Sequence, residues 1–339
     1  MTGDAKVNRQ WVLANRPEAA VDEKTFELRT GAVPALQPGE ALVRIEYLSV
    51  DPTQRSWLND RAGYLPPVAV GEVMRAGGAG RVVESRNERF PVGQVVSGFT
   101  GWQDYLVIPA DGTAGVRAVP DGIPPTAALG VLGSTGLAAY FGLLDIGRPQ
   151  AGETVLVSGA AGATGSVAGQ IARILGCRVI GVAGGPDKCA WVVGEAGFDA
   201  CIDYRNEDVA QRLAELAPDG IDVFFDNVGG ATLDAALGRL AMHARVVICG
   251  AVASGYAHER PAGPGNYVDL IQKRARMEGF LYFDYAERFP EAIGQLHTWV
   301  GEGRIKHTET VTDGFENAPD ALRGLFEGRN NGKQLIRIA

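Results

Sequence analysis

The spacing of apolar residues changes near Pro125, and this change divides the chain into two predicted parts. Before it, apolar runs are short and are broken by Pro and Gly, as at 41–48, 80–84, 94–98 and 104–109. Short strands with frequent turns, and few patterns of helical length, favour a small antiparallel barrel or sandwich.

After Pro125, strand-like and helix-like runs alternate. Strands are predicted at 154–158, 178–183, 200–204, 221–226, 244–249 and 276–283, and helices at 127–144, 166–175, 208–217 and 231–241. This alternation is typical of an α/β fold with a doubly wound parallel sheet. The tail, 332–339, is predicted to be a short strand that returns to the first domain.

A glycine-rich stretch after the first of these strands is the strongest chemical signal. Gly159, Gly162 and Gly165 are spaced G-x-x-G-x-x-G between an apolar run and an amphipathic run. Glycine lets the backbone approach a pyrophosphate, and a helix N-terminus offers unpaired N–H groups to its charge. Four residues are therefore expected to bind the pyrophosphate: Gly162, Ala163, Thr164 and Gly165.

The end of the next strand indicates which dinucleotide is bound. A carboxylate there would bind a ribose diol and repel a phosphate, but this chain continues with Gly184, Gly185 and, shortly after, Lys188. Two glycines leave room for a 2′-phosphate and the lysine supplies charge. The prediction is NADP(H) rather than NAD(H), with Lys188 on the phosphate.

Composition excludes several other classes of protein. The chain has 339 residues and a net charge of −8, so it carries no basic surface suited to nucleic acid or an anionic membrane. No apolar run approaches the roughly 18 residues of a membrane span or forms a signal-peptide core. The four cysteines, Cys177, Cys189, Cys201 and Cys249, are separated in sequence, so no disulfide framework is indicated and a cytoplasmic location is expected.

Seven segments, in order along nearly the whole chain, resemble the medium-chain dehydrogenase/reductase superfamily, and within it the zinc-free NADPH-dependent alkenal double-bond reductases that include the prostaglandin reductases. These segments are 47–52, 71–74, 158–170, 184–189, 225–230, 263–267 and 276–280. The resemblance implies a GroES-like domain over 1–125, completed by 304–339, and a Rossmann domain over 126–303. It also implies a homodimer formed through edge strands.

The sequence departs from the family pattern at one position. The family usually continues Asp-Pro with Tyr-Met-Arg, whereas this chain has Thr53 and Gln54 before Arg55. An aromatic residue is therefore missing near the expected substrate pocket.

No metal is expected to take part. Zinc-dependent members carry a Gly-His-Glu segment where this chain has Gly71, Glu72 and Val73, and the first 176 residues contain neither Cys nor His. A zinc site there would have only carboxylates, which is an improbable ligand set.

The resemblance implies reduction of a C=C bond conjugated to a carbonyl, with a tyrosine and a ribose hydroxyl stabilising the enolate. A phenol is protonated at neutral pH and can donate this hydrogen bond. The candidates are Tyr256, in the loop after the fifth strand, and Tyr64 and Tyr47, from the first domain. Each could instead be a packing aromatic.

Further cofactor contacts are expected where strands of the parallel sheet end. Asn227 follows the fourth strand, and Cys249 and Gly250 end the fifth. Tyr204 ends the third strand, and the resemblance implies that it contacts the 2′-phosphate or the adenine edge. By resemblance, Gly184, Phe280, Tyr282 and Asn330 are also expected to contact the cofactor. Residues 253–266, rich in Gly, Ala and Pro, are interpreted as a flap over the site.

Three functions stay open at this point. The first is the NADPH-dependent reduction of α,β-unsaturated ketones or aldehydes. The second is a quinone reductase of the same superfamily, and the third is a non-catalytic NADPH-binding protein.

Overall fold

The first part of the chain is built from antiparallel strands. The computed structural model describes residues 6–61, 63–112, 115–259 and 262–338. It begins with a hairpin of β1 (Val7–Leu13) and β2 (Phe26–Ala32). One short helix and five strands follow: β3 (Ala41–Ser49), α1 (Thr53–Ser56), β4 (Gly77–Ser85), β5 (Val95–Phe99), β6 (Tyr105–Ile108) and β7 (Val116–Ala118). The pairings among β3 to β7 are all antiparallel, and β3 pairs with both β4 and β6.

The single helix predicted over 127–144 is wrong. The structure has α2 (Pro125–Leu129), then α3 (Ser134–Phe141), then a π-helical turn over Gly142–Gly147. Gly130 (φ −108°, ψ −110°) and Gly133 (φ −111°, ψ −153°) leave the helical region and break the helix. The apolar period continues across the break, so sequence periodicity did not reveal it.

Six strands then form the predicted parallel sheet, separated by helices. They are β8 (Thr154–Ser158), α4 (Ala163–Ile174), β9 (Arg178–Ala183), α5 (Pro186–Gly194), β10 (Ala200–Asp203), α6 (Val209–Leu216), β11 (Ile221–Asp226), α7 (Gly230–Leu237), β12 (Leu240–Ile248), α8 (Asp269–Lys273) and β13 (Arg276–Gly279). The spatial order is β10-β9-β8-β11-β12-β13. This is a doubly wound sheet whose strand order reverses between β8 and β11.

Alternate residues of these strands enter separate hydrophobic cores. Val155 and Val157 belong to the cluster on one face of the sheet, and Leu156 belongs to the cluster on the other. Phe225 and Phe224 divide in the same way. Because both faces are covered by helices, the strands are apolar along their length, which explains why they were visible in sequence.

Two boundaries on this side differ from the prediction. The helix predicted over 231–241 ends at Leu237, since Gly238 caps it and Leu240 already pairs with Ile221 in the sheet. The strand predicted over 276–283 ends at Gly279 and is followed by a 3-10 turn over Tyr282–Arg288.

The last part of the chain returns to the first sheet. After α9 (Phe289–Gly301) come β14 (Glu309–Asp313), α10 (Ala318–Phe326) and β15 (Lys333–Arg337). β15 pairs antiparallel with β3 and parallel with β14. We therefore propose that residues 1–125 and 304–339 form one domain and residues 126–303 the other. In the described part of the chain, no helix is both long and apolar enough to cross a membrane.

Candidate active site

A cavity of about 1380 Å³ lies between the two sheets, at the carboxyl ends of β8, β9, β11 and β12. Residues from both predicted domains line it. It contains all but one of the residues predicted for the site: Tyr64, Gly162, Ala163, Thr164, Gly165, Gly184, Lys188, Tyr204, Asn227, Cys249, Gly250, Tyr256, Phe280, Tyr282 and Asn330. In open α/β sheets the ligand crevice lies at the point where the strand order reverses, and this cavity includes that point.

The glycine loop between β8 and α4 forms a cradle of backbone. Gly159 has a φ of +60°, and the N–H of Gly162 donates to the Gly159 carbonyl at 2.9 Å. A Cβ on Gly165 would lie 2.3 Å from the Gly159 oxygen, so only glycine fits there. Gly162 has no side chain to cap α4, which leaves the first N–H groups of the helix open to the cavity. The cradle fits a pyrophosphate.

A second end of the cavity collects positive charge. The Lys188 Nζ donates to the Gly328 carbonyl at 2.8 Å, and the Arg205 Nη2 donates to the neighbouring Glu327 carbonyl at 3.0 Å. Burial, and then the charge of Arg205, lower the pKa of Lys188. Among the described residues no carboxylate is hydrogen-bonded to either side chain's charged group. Two cations held side by side, with no carboxylate hydrogen-bonded to their charged groups, fit a phosphate.

Tyr204 lies beside this charged corner. A Cβ on Gly184 would come within 2.8 Å of the Tyr204 ring, so the ring rests on the glycine backbone. Tyr204 is 50% exposed and borders the cavity. Sequence reasoning found Lys188 and Tyr204 but missed Arg205, although it directly follows Tyr204 at the end of β10.

A buried carboxylate organises the end of β11. Asp226 is fully buried and accepts hydrogen bonds from the Ser158 hydroxyl at 2.6 Å and from the N–H groups of Val228 and Gly229. Burial raises the pKa of Asp226. The Ser158 hydroxyl in turn accepts from the Asn227 N–H, and the Asn227 amide donates to the Ser158 carbonyl at 2.7 Å. This network fixes Asn227 at the cavity wall.

The turn after β12 presents Tyr256 to the cavity. Tyr256 has a φ of +49°, and its hydroxyl oxygen accepts from the Ala251 N–H at 2.8 Å. That N–H is the only hydrogen-bond partner of the hydroxyl among the described residues, so its proton is free to donate. Burial raises the pKa of Tyr256 to about 12. A Cβ on Gly250 would lie 3.1 Å from this hydroxyl, which places the hydroxyl directly against the end of β12.

Cys249 precedes Gly250 and also borders the cavity. Burial, with a smaller effect from Asp226, raises the pKa of Cys249 to about 12. The thiol is therefore protonated at neutral pH and is a poor nucleophile.

The first domain reaches Tyr256 through a direct contact. The Asn59 amide donates to the Tyr256 carbonyl at 2.9 Å, across 197 positions of sequence. The predicted flap, 253–266, begins with a 3-10 turn over Val252–Ser254. Residues 260 and 261 of that segment lie outside the described residues.

Aromatic side chains form the opposite wall. The Tyr64 hydroxyl lies 2.5 Å from the Thr53 hydroxyl, and its ring lies 6.3 Å from that of Phe283. Phe283 also lies 6.4 Å from Phe99 and 4.1 Å from Tyr282. Burial raises the pKa of Tyr282. The small Thr53, where the resembling family has Tyr, gives Tyr64 a hydroxyl partner on this wall.

Beneath this wall lies an ion pair that sequence reasoning missed. The Lys333 side chain is 4% exposed, and its Nζ donates to Asp51 Oδ1 at 2.6 Å and to the Val50 carbonyl at 3.0 Å. Asp51 also accepts from the Ser49 hydroxyl. Lys333 begins a strand in which polar and apolar residues are mixed, so the sequence does not indicate that its side chain is buried. Its burial depends on pairing with Asp51, which follows β3.

Tyr47 does not reach the cavity. The register of β3 shifts between Ile45 and Tyr47, and Tyr47 lies between Ala79 of β4 and Arg337 of β15. Its ring packs against the cluster of Ala79, Leu129 and Leu335. Tyr47 therefore contributes to packing in this structure and does not line the cavity as predicted.

Among the described residues, no group of three or more His, Cys, Asp and Glu side chains could hold a metal ion. The expectation of metal-free chemistry stays a prediction from the sequence.

A doubly wound sheet whose glycine loop faces a cleft shared with a second, β-rich domain defines a dinucleotide-dependent oxidoreductase architecture. Known proteins agree with this class. A family model described as the N-terminal domain of oxidoreductase matches residues 9–116, and one described as zinc-binding dehydrogenase matches residues 163–298.

Full-length relatives are close. The chain is 43% identical to the NADPH-dependent curcumin reductase of Escherichia coli, covering 98% of this chain and 97% of that protein. It is 39% identical to prostaglandin reductase 1 of Bos taurus, covering 97% and 98%. The crystal structure of CurA from Vibrio vulnificus in complex with NADPH is 41% identical, with a TM-score of 0.91 over 98% of this chain and 99% of that one.

The chain belongs to the medium-chain dehydrogenase/reductase superfamily of oxidoreductases, in the branch that contains the prostaglandin and alkenal reductases. This confirms the family and the two-part fold that the sequence resemblance predicted. The NADP(H) prediction agrees with the named cofactor of these relatives.

Proposed function

We propose that this protein is an NADPH-dependent reductase of C=C bonds conjugated to a ketone or aldehyde carbonyl. The observation that carries the proposal is the Tyr256 hydroxyl. Its oxygen accepts from the Ala251 N–H, and the side chain borders a cavity that is also lined by the glycine cradle and by Lys188. Relatives that are named as curcumin, prostaglandin and alkenal reductases support the same chemistry.

The cavity offers distinct sites for the parts of NADP(H). The cradle of Gly162 to Gly165 would bind the pyrophosphate, and Lys188 with Arg205 would bind the 2′-phosphate. Asn227 and the backbone of Cys249 and Gly250 would border the nicotinamide half. When bound, the reduced cofactor supplies the hydride that the reaction needs.

Tyr256 would stabilise the charge that develops on the substrate oxygen. Addition of hydride at the β-carbon leaves an enolate, and a preorganised hydroxyl donor near its oxygen lowers the barrier. Because burial raises the pKa of Tyr256 to about 12, the phenol keeps its proton at neutral pH. The hydroxyl therefore acts as a hydrogen-bond donor to the enolate. The α-carbon is protonated in a later step.

The opposite wall would hold the substrate. Tyr64, Phe99, Tyr282 and Phe283 present ring surfaces, while the Thr53–Tyr64 hydroxyl pair is the polar feature among them. A flat, conjugated substrate suits such a wall, since extended π-systems gain from stacking on aromatic rings.

A substrate panel with NADPH tests the proposal. NADPH oxidation should be rapid with an α,β-unsaturated ketone or aldehyde and absent with the matching saturated ketone. Turnover of quinones alone, unchanged in Tyr256→Phe, would instead support the quinone reductase, and binding of NADPH with no turnover would support a non-catalytic protein. Stoichiometric zinc that is needed for activity would contradict the proposed chemistry.

We further propose a homodimer located in the cytoplasm. All four residues of β13 are exposed at the edge of the parallel sheet, among the described residues. Nearby in sequence, Tyr267 is 59% and Ile271 77% exposed, which is unusual for large apolar side chains. Light scattering coupled to size-exclusion chromatography should give twice the chain mass, and Ile271→Glu should lower it.

A further inference from the structure

Two cysteines that are separate in sequence meet in the fold. The Sγ atoms of Cys189, in α5, and Cys201, in β10, lie 2.8 Å apart. β10 pairs in parallel with β9, and α5 begins directly after β9, so the crossover returns Cys201 to the first turn of α5. The pair could not be predicted from the sequence, because the two cysteines do not form a C-x-x-C motif.

We propose that Cys189 and Cys201 are a modification site at which a peroxide forms a reversible disulfide. A disulfide bond is about 2.05 Å long, so the sulfur atoms need to approach by only about 0.8 Å. Both side chains are partly exposed, so a small oxidant can reach them. No other pair of cysteine sulfurs among the described residues is in contact.

The chemistry balances with hydrogen peroxide as the oxidant. The Cys189 sulfur attacks one peroxide oxygen, which forms a sulfenic acid and releases water as the O–O bond breaks. The Cys201 sulfur then attacks the sulfenic sulfur, which forms the S–S bond and releases a second water. Two thiols lose two electrons and two protons, and one peroxide is reduced to two waters.

The order of attack follows from burial. Burial raises the pKa of both thiols, and the acidic Asp203 and Glu207 nearby raise them further. Cys189 is the less deeply buried and has the smaller shift, so it is the one that meets the oxidant first. Both thiols are protonated at neutral pH, so the pair stays reduced until the peroxide concentration is high.

The disulfide would act on the phosphate corner. Cys189 directly follows Lys188, and Cys201 lies two residues before Asp203, which accepts a hydrogen bond from the Gly185 N–H at 2.7 Å. Drawing α5 toward β10 moves Lys188 relative to Gly328 and Arg205. This consequence rests on the proposed function, whereas formation of the disulfide does not.

Peptide mass spectrometry tests the disulfide itself. Cleavage after Lys188 and Arg205 gives one tryptic peptide, 189–205, that contains both cysteines and no others. After hydrogen peroxide treatment and alkylation of the intact, denatured protein, this peptide should lose the mass of two hydrogens and carry no alkyl group. Dithiothreitol should restore double alkylation.

Matched variants separate the pair from general oxidation. Cys189→Ser and Cys201→Ser should each abolish the modified peptide, while Cys177→Ser, which removes a buried cysteine elsewhere, should leave it unchanged. In the wild type, oxidation should raise the KM for NADPH by roughly threefold or more, with less effect on NADH, and both serine variants should lose this response. A doubly alkylated peptide 189–205, or overoxidation of Cys189 with Cys201 left free, would overturn the proposal. Disulfide formation with no change in KM would retain the site and reject its effect on the cofactor.

Discussion

Removing the Lys188 charge is the sharpest test of how the cavity distinguishes the two nicotinamide cofactors. In Lys188→Ala the 2′-phosphate would lose one charge-assisted hydrogen bond, which is worth about 1.5–3 kcal/mol. At about 1.4 kcal/mol for each factor of ten, this corresponds to roughly 10- to 150-fold in affinity. Arg205, which donates to the Glu327 carbonyl next to Gly328, would still attract the phosphate. We therefore expect the lower end of this range, about 10- to 30-fold.

The assay compares NADPH and NADH in the same preparations. Fluorescence titration should give a weaker Kd for NADPH in Lys188→Ala and in Arg205→Ala, a still weaker one in the double variant, and a nearly constant Kd for NADH. Lys306→Ala is the matched control, because the Lys306 Nζ pairs with Glu195 at 2.9 Å on the exposed surface. Equal losses for NADPH and NADH would refute the assignment of the phosphate to this corner.

The same corner predicts a pH dependence. Burial and Arg205 lower the pKa of Lys188 below its usual value of 10.5. Only the protonated amine attracts the phosphate, and the phosphate is fully charged only above its second pKa of about 6, so NADPH affinity should be highest above that pH and should fall as the pH rises through the lowered pKa of Lys188. Lys188→Ala should remove that decline, and NADH affinity should not follow it.

Other side chains give independent tests. Tyr256→Phe should lower kcat for an enone by roughly 10²–10³-fold in steady-state assays, with little change in the KM for NADPH; an unchanged kcat would remove the hydroxyl from its proposed role. Gly165→Ala should abolish NADPH binding in calorimetry, because its Cβ would lie 2.3 Å from the Gly159 oxygen; wild-type binding would contradict the cradle. Asp226→Ala should lower the free energy of unfolding in urea by about 3 kcal/mol, because the Ser158 hydroxyl and the Val228 and Gly229 N–H groups would stay buried without an acceptor. A loss below about 1 kcal/mol would argue against the network. Asn59→Ala should lower kcat for an enone more than it alters NADPH affinity. The reverse result would show that the Asn59–Tyr256 hydrogen bond does not position Tyr256 for the substrate.

Local chemical signals made the parallel-sheet side of the cavity lining predictable. The glycine spacing at 159–165 and the missing acid after β9 are properties of a few adjacent residues, and parallel strands bring their ends to one edge of the sheet. Continuous apolar runs also located the strands, since both faces of that sheet are buried.

What could not be predicted depends on contacts between distant segments. Tyr47 was expected to line the cleft from the first domain, but its ring packs against Ala79, Leu129 and Leu335, a contact that depends on how distant segments pair with β3. Lys333 and Asp51 are 282 positions apart. The interruption at Gly130 depends on backbone angles that glycine permits but does not require.

One further contact concerns how the two halves of the molecule can move. The Gly332 N–H donates to the Ala161 carbonyl in the glycine loop at 2.8 Å, and the next residue, Lys333, holds Asp51. Residues 332 and 333 thus connect the glycine loop of the parallel sheet to the end of β3 in the antiparallel sheet. Any rotation between the halves has to turn about this junction or break it. Separation of the halves at this point would break the Gly332–Ala161 hydrogen bond, and separation at the Tyr256 loop would break the Asn59–Tyr256 hydrogen bond.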